Sequence, residues 1–260
     1  MTLIVRPGFQ FDTDASTYIE AVEVADTQAL ETATRYAIND FVIGCKQDGI
    51  WSAIKASCIL SGARTMAGAL IPLAGTAPTN INFVSGDYNR KTGLVGNGST
   101  KYLNSNRANN ADPQNNNHNA VWVSTAQTVG SSGTYISSDA ATANRNYIDS
   151  TNAPISRFDC RTGGSSGNTV VIASSTLAGI SRSTSASFLI RVNGTTSTQA
   201  TASGTPDSAN ISIFARTLSG TPGAYSNARL AFYSIGESLD LAALDARVTA
   251  LITAFGVAIP

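Results

Sequence analysis

The spacing of apolar residues changes near residue 64, and this change constrains the fold more than any other feature of the sequence. From about Ala69 onward, short runs of β-branched and aromatic residues alternate with Gly, Asn, Ser and Thr. Strands at this spacing, without helical stretches between them, are typical of an antiparallel β-sandwich. The predicted strands include residues 120–123, 135–137, 169–173, 187–192, 211–215 and 229–235.

Two segments of this region have specific local chemistry. The alternating run 188–192 is followed by Asn193 and Gly194. Both central residues of a type I′ turn need positive φ, so this pair predicts a β-hairpin. Segment 104–119 is rich in asparagine, which tolerates positive φ and bonds its own backbone. We therefore expect an ordered polar loop there, with His118 as a solvated side chain.

The region before residue 64 has a helical pattern. From Thr17 to Ile59 apolar residues recur at helical spacing, and one stripe holds Leu30, Ala33, Ala37, Ile38, Phe41 and Val42. Thr17 and Glu20 fit a capping box. Gly49 predicts the end of one helix, and Gly62 the end of a second that carries Ile50, Ile54 and Cys58. The sequence thus predicts a helical hairpin, with Cys45 and Cys58 buried in it.

The C-terminal segment is helical again. Ser238 is the expected cap and Gly256 the expected end, and the apolar stripe is Leu241, Leu244, Val248, Leu251, Ile252 and Phe255. No run of 18 apolar residues is uninterrupted, so we expect no membrane insertion. We divide the chain into residues 1–64, an arm and helical hairpin for docking or assembly, and residues 65–260, the sandwich with its C-terminal helix.

Composition argues against some partners. Lys+Arg and Asp+Glu are both 17, and nucleic-acid-binding proteins usually carry a basic excess. We therefore expect no nucleic acid. Only 13% of residues are charged, whereas Ser, Thr and Asn number 30, 29 and 20. Hydroxyl and amide groups therefore solvate much of the surface.

The predicted sandwich offers little acid–base chemistry. Residues 65–236 contain no glutamate, and their aspartates are at least ten residues apart: Asp87, Asp112, Asp139, Asp149, Asp159 and Asp207. A glycosidase needs two carboxyl groups about 5–9.5 Å apart, which one strand cannot present here, although two aspartates could meet across strands. His118 is the sole histidine. We predict no enzyme activity, no cofactor and no metal motif, with Asp87 or Asp112 as the candidates if calcium binds.

Two longer segments carry a family resemblance. Residues 82–106 contain Gly-Asn-Gly-Ser at 96–99 before Tyr102 and Leu103, and residues 229–252 run from a strand into a Ser-Leu-Asp-led helix. Both resemble bacteriophage structural proteins with a concanavalin A-like, laminin-G-type jelly roll, and residues 44–63 look similar to the same family. The resemblance implies a jelly-roll β-sandwich and a place in the virion, at the phage particle surface or tail.

A glycan site needs aromatic faces and amide groups, and the predicted sandwich contains both. The candidate ligand-binding residues are Tyr88, Arg90, Tyr102, Trp122 and Tyr135. Trp122, between two valines, also suits a core position. Residues 61–235 hold twelve basic and six acidic residues, which suits an anionic glycan or an acidic neighbouring subunit.

The leading hypothesis is a non-enzymatic virion protein, a tail fibre or appendage component that displays a lectin-like sandwich for host-surface binding. One alternative is a capsid decoration or capsid fibre protein without a receptor role. Another is a glycan depolymerase. The expected partners are other virion proteins, further copies of the chain and a host-surface glycan.

Overall fold

Two antiparallel sheets face each other, and helices cover the outer face of one of them. The computed structural model describes residues 10–128, 132–138, 144–151, 155–162, 167–168 and 170–260. The helices are α1 (Thr13–Asp26), α2 (Thr32–Gln47), the short α3 (Met66–Ala69) and α4 (Leu241–Ala258). The chain is mainly β, an antiparallel sandwich with N-terminal helices and a C-terminal helix, and the predicted fold class is confirmed.

Sheet A lies between the helices and the second sheet. Its strands are β1 (Ile54–Ile59), β3 (Tyr88–Asn89), β4 (Gly93–Val95), β6 (Asn117–Thr125), β11 (Thr176–Arg182), β12 (Phe188–Val192), β13 (Thr195–Gln199) and β17 (Arg229–Gly236). Their order is β13-β12-β11-β6-β17-β4-β3, and β1 also pairs with β17.

Sheet B forms the other layer of the sandwich. Its strands are β2 (Thr79–Ile81), β5 (Tyr102–Ala108), β7 (Gly133–Ser137), β8 (Arg145–Thr151), β9 (Ile155–Thr162), β10 (Gly167–Asn168) and β14 (Asn210–Ile213), in the order β10-β9-β8-β7-β14-β5-β2. A separate two-stranded sheet joins β15 (Arg216–Leu218) to β16 (Thr221–Gly223).

The two cores explain why the central strands of sheet A are apolar on both faces. In β6, Val121 and Val123 pack in the core between the sheets, whereas Trp122 packs in the core beneath the helices. Phe232 of β17 also faces the helices and makes an edge contact with Phe41 of α2, with ring centroids 5.8 Å apart. A strand that is covered on both faces is stabilised by apolar residues at every position, because each side chain is buried.

The first two helices confirm part of the N-terminal prediction. The stripe residues of α2 are buried except Ala33, which is exposed, and Thr34 is buried instead. The predicted capping box is wrong, because α1 begins at Thr13 and Asp12 accepts a hydrogen bond from the backbone N–H of Asp14 at 3.0 Å. Gly49, with φ +71°, follows α2 as expected.

The second helix of the predicted hairpin is wrong. Residues 54–59 form strand β1, which pairs with β17. Cys58 is buried as predicted, but it lies in this strand. The strand is buried on both faces, and a short run of that kind has no period of two to distinguish it from a buried helix. The division of the chain at residue 64 stays a prediction, although β1 precedes that boundary.

Helix α4 confirms the C-terminal prediction with different ends. Asp240, not Ser238, caps it by accepting from the N–H groups of Ala242 and Ala243, and the helix continues past Gly256 to Ala258. By length and composition α4 could cross a membrane. This is weak evidence, because its apolar stripe packs in the core between the helices and sheet A.

The hairpin at Asn193 and Gly194 is confirmed, with φ of 50° and 73° and Val192 paired to Thr195. The predicted strand at 169–173 is wrong for residues 170–173, which are irregular, and Thr169 lies outside the described residues. The predicted polar loop at 104–119 is also wrong over much of its length, because β5 and β6 occupy both of its ends. Cross-strand pairing supplies their backbone hydrogen bonds despite the asparagine-rich sequence.

Candidate functional site

Two of the predicted ligand-binding side chains lie in the protein interior. Trp122 is 5% exposed beneath the helices, and Tyr135 is 1% exposed between the sheets. The hydroxyl of Tyr135 accepts a hydrogen bond from the backbone N–H of Gln127 at 3.0 Å, and burial raises its pKa to about 12. Neither ring offers a surface on which a sugar could stack.

Tyr88 and Arg90 lie where the helices meet the edge of sheet A. The hydroxyl of Tyr88 donates to the carbonyl of Ala63 at 2.7 Å. Arg90 donates to the same carbonyl through Nε at 3.0 Å, and to both carboxylate oxygens of Glu31 at 3.0 and 2.7 Å. These bonds commit both side chains to attaching the helical segment to the sheet.

Tyr102 lies on an open cleft in sheet B. The cleft has a volume of about 340 Å³. We call it the Tyr102 cleft; its lining residues are Tyr102, Asn104, Ser208, Ala209, Asn210, Ser212, Thr217, Gly220 and Pro222. Strands β5 and β14 place Asn104 opposite Ser212, and β15 and β16 contribute the other wall. The ring of Tyr225 lies 6.2 Å from that of Tyr102, centroid to centroid.

The chemistry of the Tyr102 cleft suits a neutral, hydroxyl-rich ligand. None of its lining residues is charged. The side-chain oxygen of Asn104 accepts from the backbone N–H of Asn106 at 2.9 Å, which leaves its NH₂ group to donate elsewhere. Asn210 is exposed, and the hydroxyl of Thr217 is buried with no hydrogen-bond partner in the described part of the chain. Aromatic and amide groups together can bind a sugar through its apolar face and its hydroxyls.

Sequence reasoning found Tyr102 but missed the other residues of the Tyr102 cleft. Asn104 fell in the segment interpreted as a loop. Asn210 and Thr217 lie more than 100 residues further along the chain, and they join Tyr102 because β14 pairs with β5. A local sequence pattern does not specify that pairing. The Tyr-Leu pair that follows the Gly-Asn-Gly-Ser segment was therefore the one available signal.

A second cluster, on the outer face of sheet B, bears on the depolymerase alternative. Asp149 and Asp159 project from the same face of β8 and β9, because the pairs Asp149–Arg157 and Tyr147–Asp159 share that face. Asp149 accepts from Nη2 of Arg157 at 2.8 Å, and Asp159 from Nη2 of Arg145 at 2.8 Å. Both guanidinium groups also lie over the Tyr147 ring, 5.2 and 5.3 Å from its centroid. Both carboxylates are thus engaged by arginines.

His118 does not lie in a solvated loop, so that prediction is wrong. It lies in β6 and is fully buried, with Nδ1 2.5 Å from the carbonyl of Glu237 and Nε2 2.7 Å from the hydroxyl of Ser234. Burial lowers its pKa to about 4, so the ring is neutral at pH 7. The Ser234 hydroxyl contacts Nε2, but Nδ1 contacts a backbone carbonyl rather than a carboxylate, and both side chains are fully buried, so this pair does not have the arrangement of a Ser-His-Asp triad.

The aspartates considered for calcium both have cationic partners. Asp87 lies 2.5 Å from the ammonium of Lys101, and Asp112 lies 2.5 Å from Nη2 of Arg107. Within the ranges that the structure describes, no three His, Cys, Asp or Glu side chains cluster as metal ligands.

Two other openings of similar volume are present in the described residues, one of about 350 Å³ beside Tyr88 and Arg90 and one of about 370 Å³ beside Asp14 and Trp51. Both have charged lining residues, whereas the Tyr102 cleft has none.

No protein-family model matches the chain, and no curated protein is similar to it. Among solved structures, it is similar to a Trypanosoma rangeli sialidase in complex with 2,3-difluorosialic acid, at 10% identity and a TM-score of 0.50. That match covers 78% of this chain but 32% of the sialidase, so the chain spans about a third of it.

Two further solved structures are similar at lower scores. The CBM40 of a Ruminococcus gnavus IT-sialidase, bound to α2,3-sialyllactose, matches with a TM-score of 0.38 and 10% identity, over 56% of this chain and 83% of that one. Tailspike protein 2 from Escherichia coli O157:H7 bacteriophage CAB120 matches with a TM-score of 0.40 and 12% identity. That match covers 64% of this chain and 25% of the tailspike protein. At these identities the similarity concerns the fold alone.

Proposed function

We propose that the chain is a non-enzymatic phage virion protein that binds a neutral glycan of the host surface in the Tyr102 cleft. The observation that carries the proposal is the cleft itself: an uncharged opening of about 340 Å³ with a tyrosine ring and amide side chains. Ligand sites are commonly concave and apolar with a few well-placed polar groups. The phage assignment is supported by the resemblance of residues 82–106 and 229–252 to phage structural proteins.

A tail fibre or appendage is the place in the virion that we propose, because host recognition needs an outward-facing binding module. The helical side of the molecule would face the particle, and sheet B would face the host. A capsid decoration protein would share the fold but would need no glycan in the Tyr102 cleft. Glycan binding therefore separates these two roles.

The absence of enzyme activity is the second part of the proposal. Its support is that Asp149 and Asp159, which project from the same face of sheet B, are each bound to an arginine. Most retaining and inverting glycosidases use one protonated carboxyl and one carboxylate at the scissile bond. The Tyr102 cleft itself has no carboxyl among its lining residues.

The test is a binding screen of the purified chain on an array of neutral and sialylated oligosaccharides, followed by titration of the best neutral binder. We expect Asn210→Ala and Tyr102→Ala to weaken binding by about tenfold or more, which corresponds to about 1.4 kcal/mol. Tyr36→Ala, on the exposed side of α2, is the matched control and should bind as the wild type does.

Three outcomes would contradict the proposal. One is binding that is unaffected by either cleft variant, and another is the absence of binding to every neutral glycan. The third is release of reducing ends from the bound glycan on prolonged incubation. Because Tyr102 also packs against the inter-sheet core, the exposed Asn210 supplies a variant that does not depend on core packing.

A further inference from the structure

Strand β13 is an edge strand without the usual protection against pairing. It closes one side of sheet A, and its five residues are Thr-Thr-Ser-Thr-Gln, with Thr195–Thr198 exposed and no charge or proline among them. Natural edge strands are normally short or carry lysine, proline or a bulge that prevents pairing with another chain. Strand β13 has an uninterrupted register with β12 and none of these features.

The other sheet edges in the described residues are protected. The outer side of β1 is covered in its middle, where Ser57 exchanges backbone hydrogen bonds with Leu73 and Ala74. Strand β3 has two residues and is followed by Arg90 and Lys91. Strand β2 has three residues and is preceded by Pro78, and β10 has two residues. The contrast singles out β13 as the edge available to a partner strand.

The register of the hairpin identifies which backbone groups face outward. A two-residue turn makes Val192 and Thr195 a hydrogen-bonded pair, and such pairs alternate along an antiparallel ladder. The N–H and C=O groups of Ser197 therefore point toward β12, and those of Thr196 and Thr198 point away from it. No backbone hydrogen bond joins Thr196 or Thr198 to another segment among the described residues.

We propose that β13 pairs antiparallel with β13 of a second copy of the chain, on a two-fold axis through Ser197. In this register Thr196 opposes Thr198 of the partner subunit, and Ser197 opposes Ser197 of the partner subunit. The outward N–H of Thr196 then donates to the carbonyl of Thr198 of the partner subunit, and the carbonyl of Thr196 accepts from the N–H of that same residue. The two-fold axis repeats this pair of hydrogen bonds on the other side of Ser197. The two strands become the centre of one continuous sheet.

The partner is a second copy because the strand is self-complementary. Threonines flank Ser197 on both sides, so rotation about the axis places Thr196 opposite Thr198 of the partner subunit, and Thr195 opposite Gln199 of the partner subunit, with no clash of charge. The whole chain has a formal net charge of zero, so two copies do not repel one another strongly. The contact is short, and we expect a dimer that forms at high protein concentration rather than a permanent one.

A single cysteine tests the register. Directly opposed residues of a non-hydrogen-bonded pair lie within disulfide range, so Ser197→Cys should cross-link two copies under mild oxidation. The native Cys45, Cys58 and Cys160 are buried and should not interfere. Thr195→Cys is the matched control, because in this register its copies lie roughly 14 Å apart. We expect at least a tenfold faster cross-linking rate for Ser197→Cys, measured on non-reducing gels.

A proline adds a second test of the same pairing. Thr198→Pro in the Ser197→Cys chain removes an outward N–H while leaving the bonds to β12, and should reduce cross-linking to the rate of the control. Thr198→Ala retains that N–H and should leave the rate high. Equal rates for Ser197→Cys and Thr195→Cys would overturn the proposal, as would rapid cross-linking in the proline variant.

Discussion

The ion pair between Glu31 and Arg90 gives the attachment of the helices a defined pH dependence. Hydrogen bonds from Arg90 lower the pKa of Glu31 from 4.5 to about 2, against the opposing effect of burial. Because the pKa is lower in the folded protein, this contribution to the free energy of unfolding is fully present above pH 4.5. It is lost as the pH falls through 2.

The magnitude follows from the size of the shift. A change from 4.5 to about 2 corresponds to about 3 kcal/mol, at 1.36 kcal/mol for each unit of pKa. The side chain of Glu31 retains 21% of its exposure, so water screens the interaction. We therefore expect the Glu31→Gln substitution to lower the free energy of unfolding by about 1–2 kcal/mol at pH 7.

Urea unfolding of the two proteins at pH 7 and pH 2 measures this effect. At pH 7 the free energy of unfolding of Glu31→Gln should be lower than that of the wild type by about 1–2 kcal/mol. At pH 2 this difference should shrink toward zero, because the wild-type carboxyl takes up its proton. Glu20→Gln, at an exposed position of α1, is the control and should change little at either pH. A difference that stays constant between the two pH values would refute the reasoning.

Two further predictions concern the interior. Phe232→Ala should lower the free energy of unfolding by about 3–5 kcal/mol in urea titrations, because the ring is fully buried between α2 and sheet A. A loss below about 1 kcal/mol would contradict this close packing. His118 has its pKa lowered from 6.5 to about 4, so wild-type stability should fall by about 3 kcal/mol at most as the pH drops across that range. His118→Gln should remove this dependence of the free energy of unfolding on pH. If the dependence persists in the variant, the buried, neutral His118 is not its cause.

Local turn chemistry and helical periodicity explain what the sequence predicted well. The Asn193–Gly194 turn depends only on the φ angles of two residues, and the hydrophobic stripe of α2 depends only on its own periodicity. Both are properties of a short segment. They remain the same whatever the rest of the chain does.

The errors arose where distant segments decide the structure. Strand β1 has apolar residues on both faces because β17 and the two cores surround it, so its sequence does not alternate. Asn117 and Asn119 lie in a buried strand because Asn146 donates to their side-chain oxygens at 3.1 and 3.4 Å from β8. A polar sequence is acceptable in a strand when such a partner exists, and only the fold supplies it.

The same reasoning applies to the candidate site. Trp122 and Tyr135 have the residue types that a sugar site needs, but their strands direct them into the two cores. Tyr102 differs because its strand lies next to β14 and the β15–β16 hairpin, which leave an open cleft beside the ring. Exposure, rather than residue type, separates Tyr102 from Trp122 and Tyr135.

The most direct test of the central claim is backbone amide NMR of the chain titrated with the neutral oligosaccharide that it binds most tightly. We predict saturable shifts at Tyr102, Asn104 and Asn210, with the glycan recovered intact at the end of the titration. Shifts confined to the arginine and tyrosine cluster of β8 and β9, or recovery of a shortened glycan, would contradict the assignment of the Tyr102 cleft as a neutral, non-hydrolytic binding site.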